Sequence, residues 1–182
     1  MKKIDNTEID INLNDFPDKL VNLIVGLLDD KNYSIKHDAR NALVKMGKRV
    51  IPQMHKLLAS KNILLRKDAA KVVELIADRR SIPLLISLLY DTESEIRWIA
   101  AEGLIKIGRR SILPLLKSIR DGKSSHFHNK GAHHVLNSLL NETEKKKLVP
   151  LLLSLNDYHE LGETAPVEAS KALKNRVKYS IS

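Results

Sequence analysis

Apolar residues return every three or four positions through most of the chain. Leu20, Leu23, Ile24, Leu27 and Leu28 form one such stripe, and Ile35, Ala39, Ala42, Leu43 and Met46 form the next, which is the spacing of one helix face. The polar run Asp29-Asp30-Lys31-Asn32 separates them. Asp15-Phe16-Pro17 opens the first helix, with Asp15 placed to cap free N–H groups and Pro17 in the first turn, where no N–H partner is needed. Gly47 closes the second helix as a left-handed cap. The same helix–turn–helix then recurs. First helices are predicted to start near Pro52, Pro83, Pro114 and Pro150. Their partners are predicted over 63–77, 94–107 and 126–140, with a last helix over 166–178.

The recurrence is also visible residue by residue. IPQMHKLLASKNILLRKDAAKVVELIADRRS aligns with IPLLISLLYDTESEIRWIAAEGLIKIGRRS. Pro52 falls on Pro83, Leu65 on Ile96, Arg66 on Arg97, Ala69-Ala70 on Ala100-Ala101 and Arg79-Arg80 on Arg109-Arg110. Pro52, Pro83 and Pro114 stand 31 residues apart. A fixed period of this length marks a stacked repeat protein, because one hairpin cannot bury its apolar face without a neighbour.

These residues resemble the short HEAT-like repeats first named for phycobilisome lyases. That signature is a proline-led helix, a turn aspartate, and an aliphatic–Arg pair with a double alanine opening the second helix. Here the matching residues are Pro83, Asp91, Ile96-Arg97 and Ala100-Ala101. The resemblance implies an all-α, right-handed α-α superhelix (a HEAT-like or ARM-like solenoid) of about five hairpins. The expected organisation is an N-terminal arm over 1–15 and a repeat array over 16–155. The array divides at about 16–48, 49–78, 79–109 and 110–141, with 142–155 as the first helix of a last repeat. A linker and C-terminal capping helix follow over 156–182. The fourth repeat departs from the others: Phe127 stands in the place of Ile96, His128 of Arg97 and Gly131 of Ala100, after a turn lengthened by Asp121-Gly-Lys-Ser-Ser.

Composition narrows the partners. Of 182 residues, 43% are hydrophobic and only 4% aromatic, so Leu, Ile, Val and Ala must build the interior. With no cysteine, disulfides, thiolate zinc sites and a cysteine nucleophile are excluded. The start of the chain lacks the apolar run of a signal peptide. Runs such as Leu148 to Leu153 fall well short of the roughly 20 residues that span a bilayer. The chain therefore reads as cytoplasmic, with no membrane role. A formal charge of +9 favours acidic or polyanionic partners.

Two sets of cations stand out. Lys48-Arg49, Arg79-Arg80 and Arg109-Arg110, with Lys145-Lys146-Lys147 before Pro150, recur where a second helix ends. They read either as a positive ridge or as complements to helix C-terminal dipoles. Lys36, Arg66 and Arg97 recur where second helices begin. In HEAT-type stacks second helices line the concave surface, and the resemblance also implies a ladder from these cations to Asp29 or Asp30 and Asp91. Trp98 occupies a slot held elsewhere by His37 and Lys67, which predicts solvent exposure and a binding role. His126, His128, His133 and His134 form a possible metal cluster. Adjacent positions 133 and 134 diverge on a helix, however, and no carboxylate lies among the four.

Catalytic signatures are not found. The metal-dependent hydroxylases of this repeat class hold iron through His-Glu pairs at second-helix starts. The matching places here read Lys36-His37, Arg66-Lys67, Arg97-Trp98 and His128-Asn129. No Gly-rich phosphate loop or Ser nucleophile elbow is present. The favoured reading is a non-catalytic binding module without a cofactor, recognising an acidic protein or peptide through Trp98, Arg66, Arg97, Lys67, Lys71, Arg79, Arg80, Arg109 and Arg110. The alternative is DNA or RNA binding along the same surface, as in HEAT-like alkylpurine DNA glycosylases. A lyase or hydroxylase subunit is a third reading.

Overall fold

The computed structural model describes residues 18–122, 125–156 and 164–175. The expected arm over 1–15, the Asp15–Pro17 opening, linker residues 157–163 and the end of the expected last helix over 176–178 lie outside the described residues. Every regular element among those described is helical. Four hairpins come first: α1 (Asp18–Gly26) with α2 (Tyr33–Met46), α3 (Ile51–Leu57) with α4 (Ile63–Ile76), α5 (Ile82–Leu88) with α6 (Ser94–Ile107), and α7 (Ile112–Asp121) with α8 (His126–Leu139). Then come α9 (Glu142–Lys147), α10 (Val149–Asn156) and α11 (Thr164–Lys174).

Each hairpin is punctuated by its own side chains. Asn32 and Asn62 cap α2 and α4, their side-chain oxygens accepting from the Ser34 and Leu64 N–H groups at 2.9 and 3.0 Å. Prolines occupy the second position of α3 and α5, where a missing N–H costs nothing. The second helices stack in series, α2 on α4, α4 on α6 and α6 on α8, while each first helix packs against its own partner. Ala69, Ala100 and Ala132 are fully buried along this series, and their small side chains let neighbouring helices close up. The interior between the layers is aliphatic, with Leu43, Met54, Leu85, Leu104, Leu115 and Leu136 fully enclosed or nearly so.

Two expectations need correcting. The first helical bond of α8 runs from the Asn129 N–H to the Ser125 carbonyl, as Arg66 bonds to Asn62 and Arg97 to Glu93. Asn129, not His128, therefore stands in the place of Arg97. His128 takes the place of Ile96, and Ala132, not Gly131, that of Ala100. Burial enforces this register: His128 is as enclosed as Ile96, whereas Phe127 is half exposed. The turn before α8 is one residue longer than a simple count along the repeat implies.

The second difference concerns the last hairpin. α10, expected as a first helix, packs chiefly against α8 in the second-helix layer, and α11 packs chiefly against α7 in the first-helix layer. The additional helix α9 redirects the chain. It is pinned by a reciprocal Asn141–Glu144 capping box. Ala165, Ala169 and Ala172 then give α11 a small-residue face on which to close.

Second helices end in two ways. Gly47 and Gly108 follow α2 and α6 with φ of +62° and +84° and strongly negative ψ, a conformation nearly restricted to glycine. Ala77 follows α4 in the ordinary left-handed region, φ 52° and ψ 42°. Gly108→Ala is expected to lose about 1–3 kcal/mol of unfolding free energy. Ala77→Gly is expected to stay within about 1 kcal/mol of the parent. Urea unfolding of both variants checks this pair of outcomes.

Candidate functional site

The proposed residues divide into two regions. Arg97 and Trp98 begin α6, while Arg109 and Arg110 follow its far end, about 20 Å along the axis at 1.5 Å per residue. Arg79 and Arg80 lie in the matching place after α4. The basic pairs are themselves split. Arg80 binds the Asp78 carboxylate at 2.9 Å and donates to the Lys48 carbonyl. Arg109 makes a two-point pair with Glu144 and donates to the Leu139 carbonyl. Arg49 binds Asp18. Lys48, Arg79 and Arg110 are exposed. One cation of each pair is thus tied to a carboxylate, Arg80 while itself exposed, and the other faces solvent. The guanidinium of Arg80 holds the Asp78 carboxyl below its ordinary pKa, and that of Arg109 does the same to Glu144. Lys145, Lys146 and Lys147 belong to α9 and not to an equivalent inter-repeat turn.

Most cations at the starts of second helices are also engaged. Lys36 and Arg40 meet Asp68 at 3.2 and 3.5 Å. Arg66 uses Nη1 to donate to the Ser60 and Lys61 carbonyls of its own turn, and Nε and Nη2 to grip Asp91 of the next turn at 3.2 and 3.3 Å. Asn62 similarly reaches back to Asp29. Lys67 pairs with Glu95, and Lys71 and Lys106 flank Glu74. Burial alone would raise the Glu74 pKa; the two ammonium groups outweigh it and hold the carboxyl below its ordinary value.

Arg97 is different. Its Nη1 donates to the Asp91 and Thr92 carbonyls at 2.7 and 2.8 Å, as Arg66 does in its own turn. Among the described residues, however, no carboxylate meets its guanidinium, which lies 4.0 Å from the centre of the Phe127 ring. Next to it Trp98, 57% exposed, stacks on His134 with ring centres 4.7 Å apart. His134 Nε2 is 2.9 Å from a Glu102 oxygen one turn further along α6. Two stacked contacts thus cross from α6 to α8 and bound a groove of about 500 Å³. His126, Lys130, His133, Asn137 and Asn156 add polar walls, and no carboxylate among the described residues lines it. Arg66, Lys67, Lys71, Arg79, Arg80, Arg109 and Arg110 do not line it either.

The same geometry leaves His126, His133 and His134 on the groove and takes His128 into the interior. His128 is 1% exposed, stacked on Tyr90 with ring centres 4.3 Å apart, and its Nε2 is 3.3 Å from Ser118 Oγ. Burial lowers its pKa to about 4. His133 is lowered by burial and by its neighbour His134. Among the described residues no three His, Asp or Glu side chains converge as a metal set. The fourth place equivalent to the His-Glu pairs is now Asn129-Lys130, a correction of His128-Asn129. Simple alignment by the repeat period did not bring Trp98, His134 and Glu102 together. The signal was available in the apolar pattern, because aligning Ala132 and Leu136 with Ala100 and Leu104 sets His134 opposite Glu102.

Residues 51–130 match the sequence family described as HEAT repeats. The span runs from α3 into α8 and includes Arg97, Trp98 and Phe127. Together with the serial packing of the hairpins, the match over that span supports an α-α solenoid fold. No curated protein matches the chain. No helix among the described residues is long and apolar enough to cross a membrane.

The buried neutral His128 makes stability depend on pH. Its folded pKa lies below the ordinary 6.5, so the unfolded chain takes up a proton first. The contribution is complete above about pH 6.5 and declines as pH falls toward 4. Going from pH 7 to pH 5 should cost roughly 2 kcal/mol through this residue. His128→Leu, which restores the aliphatic character of Ile96, should remove that part of the pH dependence in denaturant unfolding.

Proposed function

We propose that the chain is a non-catalytic binding module of the cytoplasm that recognises an acidic protein or peptide through its second-helix layer and its basic edge. HEAT repeats are in general surfaces for protein partners, and the match over residues 51–130 supports a partner of that kind. The observation that carries the acidic preference is Arg97. It is a half-buried cation in a groove whose described lining holds no carboxylate, beside an exposed tryptophan. Exposed Lys48, Arg79 and Arg110 add long-range attraction along the edge.

Nucleic-acid binding is the second reading, favoured by the net charge of +9. Phosphate tracking needs several cations free to replace counterions. In the second-helix layer Lys36, Arg66, Lys67 and Lys71 already face Asp68, Asp91, Glu95 and Glu74. The positive track is therefore interrupted, which favours a peptide over a duplex.

Fluorescence anisotropy with a labelled polyglutamate peptide and a labelled duplex DNA, each at low and moderate salt, separates the two. The peptide is expected to bind at low salt and to weaken about tenfold or more in the Trp98→Ala, Arg97→Ala double variant. Duplex binding that falls steeply with salt, together with no peptide binding, would replace this reading with the second.

A further inference from the structure

The Arg66–Asp91 pair is a template, inside the molecule, for what the next position in the ladder is built to hold. In both Arg66 and Arg97, Nη1 is anchored on two carbonyls of the preceding turn. That anchoring fixes the guanidinium plane and leaves the Nε–Nη2 edge to present two parallel donors, a geometry that matches a carboxylate. In Arg66 this edge holds Asp91. In Arg97 it meets no carboxylate among the described residues. Asp121, the acidic residue of the next turn, is held at both oxygens by Arg120 at 2.6 Å. Arg97 is thus pre-oriented for a partner that the ladder does not supply.

Resting on the acidic-partner reading above, we propose that the groove between α6 and α8 is a two-point socket for a peptide in which a carboxylate adjoins an aromatic side chain. The carboxylate meets the Nε–Nη2 edge of Arg97. The ring lies against Trp98, which is more than half exposed although one contact is taken by His134. Phe127, half exposed and held under the Arg97 guanidinium, extends the apolar wall. The groove volume of about 500 Å³ falls within the usual 300–1,000 Å³ of sites that enclose a compact ligand. Its described lining carries Arg97, whose guanidinium meets no carboxylate among the described residues, and no acid, so charge complementarity selects an acidic segment. Stacking selects a planar side chain next to the acid. A polyanion without rings would leave Trp98 unused. An apolar peptide without acids would leave the ordered guanidinium edge without an acceptor.

Trp98 is the only tryptophan, so its emission reports on this groove alone. The probe is an acetylated, amidated hexapeptide of alternating glutamate and phenylalanine. Two counterparts carry glutamine for glutamate or alanine for phenylalanine. The parent peptide should shift Trp98 emission, and both counterparts should bind about tenfold more weakly by calorimetry. Arg97→Gln should weaken the parent peptide by a similar factor, while the edge variant Arg79→Gln, Arg110→Gln, which removes only long-range attraction, should weaken it by a smaller factor that disappears as salt is raised. Because Arg97 also braces its turn, the exposed Trp98→Ser variant provides an independent arm, read by calorimetry after circular dichroism has established helicity. Binding that survives Arg97→Gln and Trp98→Ser but is lost in the edge variant would overturn the socket and leave the acidic-partner reading standing. Equal affinity for the alanine counterpart would also overturn it. If the parent peptide fails to bind, the socket falls. The polyglutamate titration then decides separately whether the broader reading falls with it.

Discussion

Close contact between successive second helices is the constraint on which the rest of this molecule depends. Ala39, Ala69, Ala100 and Ala132 recur at one position of the hairpin and are buried. A larger side chain there would hold neighbouring helices apart, since packed helices with small contact residues approach to about 8 Å. With that separation fixed, side chains reach from one repeat to the next. Arg66 finds Asp91, Lys106 finds Glu74, and Trp98 finds His134. The aliphatic interior supplies the driving force, and the small residues decide which polar groups meet.

The polar contacts between repeats do different work from the core. Half-buried ion pairs add little net stability, because desolvation offsets most of their attraction. What they impose is registration. Arg66 clamps its own turn through two carbonyls and the following turn through a carboxylate, so a slip of one residue would leave both unpaired. At Arg97 the first half of this arrangement persists and the second half is absent among the described residues. An element used for registration in one repeat is thereby left without its carboxylate in the next, and the proposed socket draws on that difference. The basic edge shows the same division, since Arg49, Arg80 and Arg109 are tied to carboxylates while Lys48, Arg79 and Arg110 face outward.

Much of the architecture is legible in the sequence, because repetition multiplies a weak signal. A single proline or double alanine means little; the same residues at Pro52, Pro83, Ala69 and Ala100 specify a unit and its partner surface. The limits of α2 and the exposure of Trp98 followed from the apolar pattern and from the polar residues sharing its slot. The fourth repeat stands one residue beyond where the period puts it, because its turn is lengthened and His128 takes an aliphatic site. A buried neutral imidazole stacked on Tyr90 fills such a site by shape, which residue polarity alone does not reveal. The groove was legible only in pieces. Trp98, Arg97 and the histidines each stood out, but their meeting depends on the register between α6 and α8. Spacing along the chain also merged the two ends of α6 into one surface, although its start and its finish point to different neighbourhoods.

The crossed packing of the final hairpin has a consequence for how such an array can change length. Between α2 and α8 each second helix packs on the next in the same order, so duplicating or deleting one unit conserves the arrangement of layers. Beyond α8 the order is inverted, with α10 continuing one layer and α11 the other. A unit spliced in after Asn156 would meet the wrong helix on each side. A change in length by whole units is therefore accommodated ahead of α9, where the layers keep their order, and not at the inverted pair.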